Sequence, residues 1–276
     1  MKLSVIQENL KNSLNLCSHF ISPKAQLPIL GNIKLVATKS KLILTSTNLE
    51  TSVSTSIGAK VDKEGEITVP GRVITDIISG LSAGNVSLEV RKERITIESG
   101  SFRSTIAGMN TSDFPKVPSI VSKSNLVTLD RKLFIDSLSK CQFAVSSDET
   151  RPVLTGVLFK FSGNTLHLVA TDGFRLSQVS MGVGNKVDID KLIVPRAVLS
   201  EIIKSTGEGN IEFSYNEKDN QVLFGVEDSI FSSRVIEGEF PDFEKIIPGK
   251  ALYKVSVDKH ELGQAIRLAS VFARES

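Results

Sequence analysis

The chain has 276 residues, 40% of them hydrophobic and 23% charged, which is ordinary for a soluble globular protein. Its net charge of +2 is close to balanced, so any nucleic-acid contact must come from where the charges sit. Trp is absent, no apolar run approaches a membrane span, and the N-terminus turns polar too early for a signal peptide, which predicts a cytoplasmic protein with no membrane partner.

A short alternating strand from Lys2 to Ile6 opens the chain, and a helix follows with Ile6, Leu10, Leu14, Cys17 and Ile21 at helical spacing. Ile33 to Ala37 and Lys41 to Thr45 predict a hairpin, and a further strand leads into Val69-Pro70. The second helix carries Ile74, Ile77, Ile78 and Leu81 on one side, with Pro70 where a first turn tolerates a missing N–H. Ala83-Gly84-Asn85 ends it, and strands at Val86 to Val90, Arg94 to Glu98 and Phe102 to Ala107 close the unit.

The same plan then begins again. Leu126 to Leu129 reads as a strand, Asp130 as an N-cap, and Phe134, Leu138, Cys141 and Val145 as a helix stripe. Val157 to Phe161 and Thr165 to Ala170 predict a hairpin, and Val194-Pro195-Arg196 leads into a helix with Leu199, Ile202 and Ile203. Matched segments recur at nearly constant offset: 124 from Pro28-Ile29-Leu30 to Pro152-Val153-Leu154, 125 from Val69-Pro70 to Val194-Pro195, and 126 from Phe114-Pro115 to Phe240-Pro241. Such self-similarity marks a duplicated folding unit. Val255-Ser256-Val257-Asp258 starts a third copy as a strand and then a helix. The fold class is therefore α+β: tandem repeats of a module with two helices against an antiparallel sheet, the third repeat cut short by about a hundred residues. The expected domains are residues 1–120, 121–249 and 250–276, with linkers near Pro115 to Ser124 and Pro248 to Lys250.

Catalytic chemistry is hard to find. No phosphate loop, dinucleotide glycine pattern or Gly-x-Ser-x-Gly elbow occurs, and His19, His167 and His260 are isolated from metal-ligand partners. Cys17 and Cys141 hold equivalent places in the repeat, on the apolar side of a helix, where each reads as a small buried hydrophobe. No cofactor is expected, and the weight shifts to binding.

Taken together, Leu27-Pro28-Ile29-Leu30-Gly31-Asn32, Ala170-Thr171-Asp172-Gly173-Phe174-Arg175-Leu176, Val194-Pro195-Arg196 and Phe240-Pro241-Asp242-Phe243 resemble the bacterial sliding clamp, the beta subunit of DNA polymerase III. The likeness runs the length of the chain. It implies the DNA clamp fold and a non-enzymatic processivity factor: two three-domain chains close head to tail into a ring on duplex DNA and tether the replicative polymerase. Family partners are the polymerase alpha subunit, the clamp loader and repair proteins that carry a short clamp-binding motif. By position the resemblance assigns DNA contact to Lys24, Arg72 and Arg196, and helical position alone makes Lys204, Lys11 and Arg131 weaker candidates. Ala197 and Asp148 depart from the basic or uncharged residues of some members, which weakens that contact.

The resemblance also implies a peptide groove at Leu154, Thr171, Gly173, Phe174, Arg175, Leu176, Pro241 and Ile246, and a dimer edge near Ile77, Arg103 and Ile106. Read alone, Leu154 and Leu176 are equally core residues and Asp172-Gly173 a hairpin turn. A chain ending at Ser276 is expected not to close a ring, and to leave Val257, Leu262, Ile266 and Leu268 as an uncovered apolar face, mobile or prone to aggregation. Two rival readings remain: a repeat-built protein adaptor that never encloses nucleic acid, and a metal-dependent nuclease or transferase using Asp172 and neighbouring acids.

Overall fold

The computed structural model describes residues 1–22, 27–118, 126–184, 189–205, 207–249 and 252–273. The first copy runs β1 (Lys2–Ile6), α1 (Gln7–Ser18), β2 (Asn32–Thr38), β3 (Lys41–Thr47), β4 (Thr51–Gly58), β5 (Lys60–Lys63), β6 (Gly65–Pro70), α2 (Gly71–Gly80), β7 (Asn85–Arg91), β8 (Arg94–Ser99) and β9 (Phe102–Ala107). The second repeats it as β10 (Val127–Asp130), α3 (Arg131–Cys141), β11 (Gly156–Ser162), β12 (Thr165–Thr171), β13 (Leu176–Gly182), β14 (Lys191–Pro195), α4 (Arg196–Lys204), β15 (Asn210–Asn216), β16 (Gln221–Val226) and β17 (Ser229–Arg234). A last helix, α5 (Lys259–Phe272), follows.

Within each copy the antiparallel strands divide into two sheets, and the division is the same in both. The order β5-β1-β7-β8-β9 in the first copy matches β10-β15-β16-β17 in the second, with β5 as an added edge. Likewise β4-β3-β2-β6 matches β13-β12-β11-β14. The two copies join because β17 pairs antiparallel with β4, which fuses two of these half-sheets into one sheet of eight strands. Small hydroxyl residues line this seam: Ser52 Oγ and Ser232 Oγ lie 2.6 Å apart, and Ser229 Oγ donates to Thr55 Oγ1 at 2.8 Å. Beside it the Phe20 and Phe231 rings sit 6.0 Å apart. His19, beyond α1, approaches Glu201 on α4 at 2.6 Å, so helices of the two copies are linked as well.

Alternation dictates the core. Ile33, Leu35 and Ala37 of β2 and Leu42 and Leu44 of β3 face inward, against Leu10, Leu14 and Cys17 of α1. In the second copy Phe134, Phe159, Phe213 and Phe224 interlock, the closest pair being Phe213 and Phe224 at 5.1 Å. One apolar cluster runs through both copies. Cys17 and Cys141 are buried free thiols, and burial pushes each up to about 12, which leaves them inert as nucleophiles.

The helix starts differ in part from expectation. Asp130 caps α3 as predicted, accepting from the Leu133 N–H at 2.8 Å. Ile6, expected on the apolar stripe of α1, instead ends β1 and is exposed, because α1 begins only at Gln7. Pro70 and Pro195 are the last residues of strands rather than the first of helices.

Residues 1–240 form one compact unit and 241–276 another. In the second, Asp258 caps α5 through the His260 and Glu261 N–H groups. No residue of α5 is buried, and Val257, Leu262, Ile266 and Leu268 are exposed as anticipated. Val255 to Val257, expected as a strand, is not one. In the complete copies the equivalent strands β1 and β10 pair with β7 and β15, and among the described residues no strand pairs with Val255 to Val257.

Candidate partner groove and nucleic-acid face

Five of the residues assigned to the groove belong to one turn between β12 and β13. Asp172 organises it: its Oδ1 accepts from the Phe174 N–H at 2.9 Å and the Arg175 N–H at 3.0 Å, while Oδ2 holds the Arg175 Nε at 2.9 Å. These donors, the backbone ones first, keep its carboxyl below the usual range despite the opposing effect of burial. Thr171 closes the turn from the other side, donating through Oγ1 to the Arg175 carbonyl at 2.8 Å and accepting from the Gly173 N–H at 3.1 Å. Gly173 sits at φ +94, a conformation that favours glycine.

The consequence is a presented side chain: Phe174 is 97% exposed. Leu176 is half-buried at the start of β13, and Leu154 is buried in a short turn spanning Pro152–Leu154. Arg151, next to that turn, reaches to 3.7 Å from where a side chain on Gly173 would begin, so the two turns adjoin. Pro241 and Ile246 are exposed but lie in the second compact unit.

Two residues that sequence reasoning did not single out join this surface. The Arg175 guanidinium lies 5.6 Å from the centre of the Phe143 ring, and Phe143 is exposed. Arg151 pairs with Asp148 at 3.3 Å. Phe143 was legible as an apolar residue breaking the helix stripe, one position before buried Ala144 and two after buried Cys141.

On the helices, Arg72 and Arg196 stand at the first turns of α2 and α4, exposed and without an ion-pair partner among the described residues. Lys204 ends α4 and is held at 2.9 Å by Glu201. Burial pushes the Glu201 carboxyl up, but hydrogen bonds from Lys204 and His19 outweigh it and the net shift is downward. Lys11 is half-buried on α1. Arg131 is corrected: it is buried and donates through Nη2 to the Ser205 carbonyl at 2.7 Å and Ser205 Oγ at 3.1 Å, tying α3 to the end of α4. Gln7 does the same job in the first copy, donating to the Ile78 carbonyl at 2.7 Å. Lys24 lies outside the described residues.

Of the expected dimer edge, Arg103 and Ile106 lie on β9, the outermost strand of its sheet. Ile77 lies on α2, half-buried against the core. The β9 edge is the repeat counterpart of β17, the strand that makes the seam between the two copies.

Comparison with known proteins decides the family. Residues 1–118 match the N-terminal domain of the DNA polymerase III beta subunit, and residues 128–242 match its central domain. The chain belongs to the DNA polymerase III beta subunit family, the sliding clamps. It is 32% identical to the beta sliding clamp of Staphylococcus epidermidis and 33% identical to that of Staphylococcus aureus, in each case over 100% of this chain and 75% of the relative. Among solved structures, the DNA polymerase sliding clamp of Bacillus subtilis superposes with a TM-score of 0.93 at 27% identity, over 100% of this chain and 75% of that one. The Helicobacter pylori beta clamp bound to a DNA ligase peptide gives 0.89 at 26% identity, over 98% of this chain and 76% of that one.

Proposed function

We propose that this chain serves as a sliding clamp that holds the replicative polymerase on duplex DNA, working in the cytoplasm and contributing no reaction of its own. The helices α1 to α4 face the duplex, and Arg72 and Arg196, with help from Lys24 and Lys204, attract phosphates without reading bases. Such contact is strong enough to centre DNA and weak enough to slide. The observation that carries this reading is the matched pair of arginines at the starts of α2 and α4, without an ion-pair partner among the described residues, in a protein of nearly balanced charge.

Partners dock at the Thr171–Leu176 turn and the adjoining Leu154. A short peptide places an apolar anchor against Leu154 and Leu176, while Arg175 and Phe174 form the rim. The Helicobacter pylori relative, solved with a DNA ligase peptide, supports a peptide-binding role for this chain. In the full-length family, head-to-tail homodimer contact would run through the edge that corresponds to β9 here, at Arg103 and Ile106 with Ile77 beside it. The test is equilibrium binding of labelled duplex DNA of two unrelated sequences across a salt series. Equal affinities that fall steeply with salt are expected; no binding at low salt would leave the protein-adaptor reading in its place.

A further inference from the structure

The turn that organises the partner groove exists twice. Residues Thr47 to Ser52 stand 124 positions before Thr171 to Leu176, and the hydrogen bonds agree one for one. Thr47 Oγ1 donates to the Thr51 carbonyl at 2.9 Å, as Thr171 does to Arg175 at 2.8 Å. The Leu49 N–H donates to Thr47 Oγ1 at 3.0 Å, as Gly173 does to Thr171 at 3.1 Å. Asn48 Oδ1 accepts from the Glu50 and Thr51 N–H groups at 3.0 and 2.7 Å, as Asp172 does from Phe174 and Arg175. Even the left-handed residue is retained, at φ 78 for Leu49 and 94 for Gly173. Leu30, the counterpart of Leu154, is buried in a matching short turn at Pro28–Gly31.

This first-copy turn borders a cleft of about 580 Å³ between the two copies. Glu50 and Thr51 form one side, and Pro152, Ala197, Val235 and Ile236 of the second copy form the other. That is room for one or two side chains of a bound segment, with an aliphatic wall and polar rim. The charge, however, is reversed. Glu50 stands where the groove has Phe174, Thr51 where it has Arg175, and Glu149 adds a second exposed carboxylate against the single cation Arg234.

We propose that this junction cleft is a second peptide socket, which takes a short extended segment with an aliphatic anchor flanked by lysine or arginine. The proposal rests on reading Thr171–Leu176 as a partner groove, because it treats the cleft as that groove's repeat counterpart with inverted charge preference. The aliphatic anchor lies against Val235 and Ile236, and the flanking cations meet Glu50 and Glu149. A partner could thereby hold the protein at two places with two different motifs.

The test uses two labelled nonapeptides with a central leucine pair, one flanked by lysines and one by glutamates, titrated into the full chain. Methyl shifts of Val235 and Ile236 report the socket, and those of Leu154 and Leu176 report the groove. The lysine peptide is expected to shift the socket methyls, to lose at least tenfold in affinity in Glu50→Lys/Glu149→Lys, and to change less than twofold in Arg175→Glu. Should the double variant misfold, Glu149→Gln alone is expected to weaken the same peptide severalfold. Shifts confined to Leu154 and Leu176, no shift at all, or indifference to both glutamate variants would overturn the socket. A glutamate peptide that leaves Leu154 and Leu176 unmoved while the lysine peptide still shifts Val235 and Ile236 would count against the groove alone.

Discussion

Asp172 does for the partner turn what Asn48 does for its counterpart, which isolates the part of the side chain that matters. Both present one oxygen to two successive backbone N–H groups, and only the aspartate also holds an arginine. Asp172→Asn should therefore keep the turn closed and change peptide affinity less than about twofold, whereas Asp172→Ala releases both N–H groups and should weaken binding by about tenfold. Calorimetric titration of a groove peptide reads both. The carboxyl is held low in the folded state, so its contribution to stability is complete above the ordinary aspartate value of ~3.9 and is lost as pH falls through the depressed one. Melting temperature followed below about pH 4 should drop less steeply in Asp172→Asn than in the parent. Gly156 offers a different test at the same scale. A methyl there would lie 2.6 Å from the Val194 carbonyl oxygen and 2.9 Å from side-chain atoms of Ile193 and Ile236. Gly156→Ala should thus cost about 1–3 kcal/mol in denaturant unfolding, since backbone has to give way.

The pairing of β17 with β4 makes two modules into one unit, and Phe231 is its apolar centre. The ring is fully buried on β17 and packs on Phe20 from the first copy. Phe231→Ala should remove about 3–5 kcal/mol, more than a peripheral core residue, because it loosens both modules at once. Urea unfolding followed by far-UV circular dichroism is expected to pass from one transition to two as the modules uncouple. The strands of this seam also explain what the sequence hid. The helix stripes at Leu10, Leu14 and Cys17, and at Phe134, Leu138 and Cys141, were readable because helices bury one apolar face. Thr51-Ser52-Val53-Ser54-Thr55 shows no apolar alternation, yet all five residues are buried, because the next module covers them and hydroxyls pair across the seam. Burial against a neighbouring copy is invisible to a reading that takes each copy alone. Arg131 misled for a related reason: a cation on a helix reads as surface, and only the fold brings the Ser205 carbonyl to it. The turn at Thr171 to Leu176 was singled out through family likeness, whereas its hydrogen-bonded duplicate at Thr47 to Ser52 emerged only from geometry.

On a molecule with a net charge of +2, attraction for DNA depends on which cations are left uncommitted. Many are not: Lys34 is held by Glu66 at 3.1 Å, Lys140 by Asp136 at 2.6 Å and Lys204 by Glu201 at 2.9 Å. Arg72 and Arg196 have no such partner among the described residues, and they begin equivalent helices in the two copies. Their contact with phosphate should therefore release counterions at full strength, while Lys204 must first give up Glu201. Each phosphate neutralised contributes about 0.9 to the slope of log affinity against log salt. Arg72→Glu/Arg196→Glu should accordingly flatten that slope by about 2, and Lys204→Glu by less than about 1. Fluorescence anisotropy of a labelled duplex between low and moderate salt measures both, and the loss should be the same for unrelated base sequences. Because these side chains are exposed and have no ion-pair partner among the described residues, the substitutions should leave the melting temperature nearly unchanged, which separates lost attraction from lost fold. An unaltered slope in the double variant would move the DNA-facing surface away from the helices, and with it the reason for two modules to present them in register.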